Sequence, residues 1–204
     1  MKQVKQYENV DLGLPSGLKW AKCNVGATSE TDYGSYFQWG DIEDKSNSDY
    51  NWATYKYCNG SYNTMTKYCT DSSYGTVDNK TTLEPEDDTA RANMGGDWRM
   101  PTKAEFQELI TYTDNKWIDD FDGNGTKGYK FTSKKDTSNY IFIRASNLYD
   151  DISTYVQDTS YGVWSSSLNT TNPRNAWTLD FNSRFISAER DYERWDGFVV
   201  RGVL

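Results

Sequence analysis

Residues 161–204 restrict the fold more than any other part of the chain. They open with YGVWSSSL, continue through NTTNPRNAWTLDFNSRF and end with DYERWDGFVVRGVL. From 176 to 182 apolar and polar side chains alternate. Trp177, Leu179 and Phe181 fall on one side, and Thr178, Asp180 and Asn182 on the other, the period of a half-buried strand. Trp164, Leu168, Ile186, Val200 and Val203 extend the apolar set at spacings that a buried face would use. Between them lie side chains of no consistent type: Arg174, Asn175, Arg184, Phe185, Ser187, Glu189, Arg190, Asp191, Trp195, Asp196 and Phe198. A constant inner face under a mixed outer face is what a binding surface on a rigid scaffold requires.

The chain has 204 residues, which suits a single domain. A chain of that length buries roughly 70% of its unfolded surface, enough for a sizeable core. Eight Trp, sixteen Tyr and eight Phe outweigh the aliphatics. Such rings give broad, stiff contact area at low entropic cost, and they also fill the inside of a loop-rich β protein. The net charge is −8 and Lys and Arg form no runs, which argues against a nucleic-acid partner. Histidine is absent, which removes the commonest general base and the commonest metal ligand. Cys23, Cys58 and Cys69 make an odd count, not a disulfide framework. Cys58 and Cys69 either close a short loop in an oxidising setting or are reduced and buried. No apolar run is long enough to span a membrane, so no membrane insertion is expected. The opening MKQVKQYENVDLGL has no apolar core of a signal peptide.

Along the chain, Leu14-Pro15-Ser16-Gly17-Leu18 reads as a turn. Strands follow at 18–25 and 32–41, the second ending at a Gly turn. Residues 42–80 are rich in Asn, Ser, Thr, Asp, Tyr and Gly, with poor periodicity. They read as a long insertion, and its Tyr50, Trp52, Tyr55, Tyr57, Tyr62 and Tyr68 predict that it is ordered and packed on the core. Residues 83–93 predict a short helix with Pro85 in the first turn and Gly95-Gly96 as its stop. In GGDWRMPTKAEFQELI, Thr102 and Glu105 form a capping box, and Phe106, Leu109 and Ile110 share one helical face. Residues 121–132 read as a turn and a strand, and 138–145 as another strand. Residues 147–162 read as a polar loop.

Two sets of residues carry a family resemblance. WSSSL (164–168), Asn172-Pro173, AWTLDF (176–181) and RWDGFVVRGV (194–203) resemble the variable region of C-type-lectin-fold proteins diversified by retroelements, in the form found in gut Bacteroides and their phages. Trp98-Arg99-Met100-Pro101-Thr102, with Glu105 and Phe106, is similar to a signature shared by formylglycine-generating-enzyme-like proteins and Bacteroides domains of the same fold. The resemblance runs from about residue 11 to the end, leaving out 42–80, where only YKYC and TKYCT look familiar. In that family an adenine-targeted process rewrites asparagine codons, never to Met, Gln, Lys, Glu or Trp. Arg174, Arg184, Phe185, Asp191 and Phe198 fit such an origin, whereas Glu189, Glu193 and Trp195 do not. The fold it implies packs the capped helix beside the sheet that carries the C-terminal strands.

Three chemistries meet specific objections in these residues. Asp122-Gly123-Asn124-Gly125-Thr126 has the alternating oxygens of a calcium loop but no distal bidentate Glu, and Asn-Gly is a turn signal. Glu84-Pro85-Glu86 departs at its third residue from the sugar-binding Glu-Pro-Asn of calcium-dependent lectins. Formylglycine generation needs late cysteines, and none follows Cys69. Carboxylate pairs such as Asp119–Asp120 or Asp150–Asp151 read as solvated surface, not as a glycosidase dyad.

The expectation is therefore an α+β chain of the C-type lectin-like fold, formylglycine-generating-enzyme-like subtype, with short helices around small antiparallel sheets and many loops. It forms one domain, 1–204, with an insertion at 42–80 and a variable region at 161–204. The resemblance implies a non-catalytic, hypervariable receptor-recognition protein on an extracellular surface or phage virion, without metal or cofactor. Its partner would be a protein or glycan on a cell surface. The alternatives are a non-variable adhesin module and a carbohydrate-binding lectin. The expected ligand face comprises Arg174, Asn175, Thr178, Asp180, Asn182, Arg184, Phe185, Ser187, Glu189, Arg190, Asp191, Trp195, Asp196 and Phe198. Replacing Arg184, Asp191 or Phe198 by Ala is expected to change stability little, and Trp177→Ala to cost about 3–5 kcal/mol as a core truncation.

Overall fold

Thr102 starts the longest helix by the mechanism its sequence predicts. Its hydroxyl accepts the Glu105 amide at 3.3 Å, and the Glu105 carboxylate accepts the Thr102 amide at 2.7 Å. A computed structural model of the chain describes residues 7–45, 49–146, 148–149, 154–155 and 162–204. Most of the expected polar loop 147–162, with Asp150 and Asp151, lies outside them, as do Tyr161, 46–48 and the first six residues.

The architecture is mixed α+β, mostly sheet, with few short helices and many loops. In chain order the elements are β1 (Asn9–Asp11), β2 (Lys19–Ala21), β3 (Tyr36–Phe37), a 3₁₀ turn (Pro85–Asp87), α1 (Thr89–Met94), α2 (Lys103–Tyr112), β4 (Thr113–Ile118), β5 (Gly128–Ser133) and β6 (Tyr140–Arg144). They continue with β7 (Leu148–Tyr149), β8 (Thr154–Tyr155), β9 (Val163–Leu168), β10 (Asn175–Asn182), β11 (Phe185–Glu193) and β12 (Phe198–Val199). The strands expected at 18–25 and 32–41 shrink to β2 and β3. The helix expected at 83–93 is split at Asp88, whose carboxylate caps α1 by accepting the Arg91 amide at 2.9 Å. Gly95 ends α1 at φ 77°.

The central sheet has the order β11-β10-β9-β12-β3. β12 runs parallel to β9, and its other pairings are antiparallel. A second antiparallel sheet is β4-β5-β6, and β1-β2 and β7-β8 are two-stranded. Apolar side chains cover both faces of the central sheet. On one face Leu179, Phe181, Ala188, Val163 and Val199 pack with Phe106 and Leu109 of α2 and with Phe131, Ile141 and Ile143 of the second sheet. On the other, Trp164, Ala176 and Phe198 pack with Trp39, Met94 and the insertion's Tyr50, Tyr55, Tyr57, Met65 and Tyr68. The insertion is thus a layer of the fold, and the sheet is its middle layer.

Candidate functional site

β10 and β11 form the hairpin on which the expected ligand face was placed. Thr178 opposes Arg190 and Asp180 opposes Ser187, so Ala188 and Glu189 together face Leu179. This bulge puts one extra residue on β11. Ala188 enters the core, while Glu189 reaches the Lys103 ammonium at the start of α2, 3.3 Å away.

The fourteen expected residues divide. Arg184, Glu189 and Arg190 are exposed, and Asn182, Phe185 and Ser187 are half-buried beside them. The Asn182 side chain accepts the Arg184 amide at 2.8 Å and closes the turn. The Arg190 guanidinium lies 5.6 Å from the centre of the Phe185 ring. Arg174, Asn175 and Asp191 form a second half-buried group. The Asp191 carboxylate accepts the side-chain amides of Asn169 and Asn175, each at 2.9 Å, so it fastens the 169–175 loop to the hairpin. Arg174 approaches Glu193 at 3.6 Å and lies over the exposed Tyr62 ring of the insertion, 5.7 Å from its centre.

The outward placement expected for the other five is corrected. Thr178 and Asp180 are buried although they alternate with Leu179 and Phe181. Each polar group has a partner in its own hairpin: the Thr178 hydroxyl donates to the Arg190 carbonyl at 3.2 Å, and Asp180 accepts the Tyr192 hydroxyl at 3.0 Å. Burial pushes the Asp180 carboxyl above the ordinary aspartate value, and the Tyr192 hydrogen bond offsets part of that. Trp195 and Phe198 are buried in the cluster that they share with Tyr50, Tyr55 and Tyr68 of the insertion, and Asp196, between them in the chain, is buried too. Phe198 is fully enclosed, with its ring 4.7 Å from Trp164 and 4.9 Å from Tyr192. Trp195 meets Trp52 edge-on at 6.4 Å and donates its indole N–H to Glu193 at 2.6 Å. A Cβ on Gly197 would come within 2.5 Å of the Tyr50 ring, so the insertion touches backbone there.

Trp177 is corrected in the opposite direction. It is half-buried, not core. The Lys103 ammonium sits 3.5 Å from its ring centre. Trp177 lines an open groove of about 600 Å³ with Leu168, Ala104, Gln107, Thr170 and Glu189.

Two arginines of RWDGFVVRG hold this frame, and nothing in their local pattern singled them out. Arg194 is buried and donates to the Tyr55 hydroxyl (2.8 Å) and to the carbonyls of Tyr68 (2.9 Å), Pro173 (2.8 Å) and Lys67 (3.0 Å). It ties the insertion to the entry of the hairpin. Arg201 donates to Asn24 (2.8 Å) and to the carbonyls of Ala21, Lys22 and Phe142. Burial lowers its guanidinium to about 10, which leaves it charged at neutral pH.

The acidic clusters and the cysteines take definite form. Glu84, Glu86 and Asp87 converge, but the Lys67 ammonium lies among them, 2.5 Å from Glu84, 3.7 Å from Glu86 and 2.5 Å from Asp87. Burial works to raise the Asp87 carboxyl, but hydrogen bonds from Lys67, Tyr68 and Lys56 outweigh it and hold the group at about 2. Asp122 spends its oxygens on the Asn124 amide (3.0 Å) and the Thr126 hydroxyl (2.9 Å), so the 122–126 segment is a self-closed turn. Cys58 and Cys69 are unbonded to each other, and their thiols point to the carbonyls of Trp52 and Asp71. Among the described residues no helix is long and apolar enough to cross a membrane. No family model matches the chain, and no curated protein or solved structure matches it significantly.

Proposed function

We propose that the chain is a non-catalytic, hypervariable recognition module. In this reading it displays diversified side chains on the distal half of the β10–β11 hairpin, and its scaffold is a C-type lectin-like fold of the formylglycine-generating-enzyme-like subtype. The observation that carries the proposal is the separation within one hairpin. Arg184, Glu189 and Arg190 face solvent while Leu179, Phe181 and Ala188 on the same two strands are sealed in the core. Side chains that face water can change without disturbing packing, and Arg and Phe are favoured contact residues in interfaces. The capped helix α2 lying against the hairpin and β9 agrees with the arrangement the resemblance implies. Arg174, Asn175 and Asp191 would flank the recognition surface; the five buried residues would support it. The partner is a protein or glycan on a cell surface, met at an extracellular surface or from a virion.

Simultaneous randomisation of positions 184, 185, 187, 189 and 190 tests this. Most clones should unfold cooperatively within about 4 °C of the parent, the shift that roughly 1 kcal/mol produces in a chain of this size. Widespread loss of folding would remove the basis of the proposal. In the DNA, a near-identical template repeat and a reverse-transcriptase gene beside the coding sequence are the expected companions. Their absence would favour a fixed adhesin module.

A further inference from the structure

We propose that the groove beside Trp177 is a calcium-independent subsite for a neutral saccharide. It goes beyond the preceding proposal, since Trp177, Lys103 and Gln107 lie outside the recognition surface and only Glu189 is common to both. Three features of the groove carry it.

Part of the lining is apolar: the half-buried Trp177 indole, Leu168 and Ala104. The rest carries hydroxyl and amide groups: Thr81, Thr82, Thr170 and, on α2, Gln107 are exposed. A pyranose has one C–H face and a belt of hydroxyls, so it needs both kinds of surface at once. The volume of about 600 Å³ falls within the range of small-ligand sites.

The charges of the groove cancel. Lys103 and Glu189 pair at 3.3 Å, which leaves a neutral rim on a chain of net charge −8. The Lys103 ammonium, 3.5 Å from the ring centre, covers the stacking face when the groove is empty. A cation over an indole is held weakly at an accessible site. An incoming sugar ring displaces it, and Glu189 holds the displaced ammonium at the rim. No metal ligand is needed in this arrangement.

The test is affinity electrophoresis of the full chain in gels containing soluble mannan, xylan or mixed-linkage β-glucan, each with and without EDTA. Saturation-transfer NMR with methyl glycosides and with choline complements it. At least one polysaccharide should retard the protein equally in EDTA. Trp177→Ala should weaken binding about tenfold or more, as loss of a central aromatic contact does. Trp177→Phe should keep part of the affinity and control for folding. Lys103→Ala, which bares the ring, should strengthen binding severalfold, and Lys116→Ala, exposed on β4, should leave it unchanged. Failure of all three polysaccharides to retard the protein would overturn the proposal. So would loss of binding in EDTA, undiminished binding by Trp177→Ala, or saturation transfer to choline in place of the glycosides. None of these results would bear on the tolerance of the hairpin tip to randomisation.

Discussion

The distal half of the β10–β11 hairpin and the run Arg194–Arg201 look alike in sequence, and the structure treats them oppositely. Both mix Arg, acids and aromatics. At the hairpin tip such residues meet water: Arg184 and Arg190 are exposed. Ten residues later the same types are interior: Arg194 and Phe198 are both fully enclosed. What separates them is the insertion, which covers β12 and its approach but not the hairpin tip. A polar or mixed pattern therefore reports only that no single apolar face is required. Whether that face is wet depends on what arrives from elsewhere in the chain.

Phe198→Ala should produce the largest loss that sharpens this contrast, about 3–5 kcal/mol, because the ring fills a sealed site against Trp164 and Tyr192. Urea denaturation reads it directly. Arg194→Met should follow at about 3 kcal/mol. It removes the donors to the carbonyls of Tyr68, Pro173 and Lys67 and to the Tyr55 hydroxyl. If Arg194→Met also raises protease cleavage within the insertion, the guanidinium is what holds that layer down. A loss near zero for either variant would place the Arg194–Arg201 run with the hairpin tip, and the contrast would fail.

Local patterns made part of this legible. The capping box of α2, the burial of Leu179 and Phe181, and the strand at β6 all follow from signals within a few residues. β4 escaped because TDNKWI has no apolar alternation; it is strand because β5 pairs with it. Thr178 and Asp180 misled because their polar atoms are satisfied by Arg190 and Tyr192, partners that only the hairpin brings together. Trp177 misled because a large apolar side chain on the core-facing side of a strand need not lie under the helix that covers that side. Arg194 and Arg201 left no local trace, since their acceptors lie as far away as Tyr55 and Ala21.

Trp177→Ala is the next test. A partly exposed indole should cost only about 1–2 kcal/mol, less than a sealed ring, since part of its surface already meets water in the fold. A loss equal to that of Phe198→Ala would return Trp177 to the core. The insertion supplies a test by acid. Asp87 is held at about 2 in the fold, against roughly 3.9 for an unfolded aspartate. Its folded value is depressed, so its contribution is complete above about pH 4 and is lost as pH falls toward about 2. Asp87→Asn should therefore flatten the stability profile in that window. A profile as steep as the parent's would mean that other carboxylates govern it.

The smallest expected effects are at the hairpin tip. Arg184→Ala and Arg190→Ala should each change stability by no more than about 0.5 kcal/mol, as surface substitutions do. Their sum should be additive unless the pair acts through Phe185, over whose ring Arg190 lies at 5.6 Å. A double-mutant cycle between Arg190 and Phe185 separates those cases. Coupling below about 0.5 kcal/mol, less than an exposed cation–π contact usually contributes, leaves the tip free to vary residue by residue. Coupling above about 1 kcal/mol would make Phe185 and Arg190 a fixed unit, and would confine variation to Arg184 and Ser187.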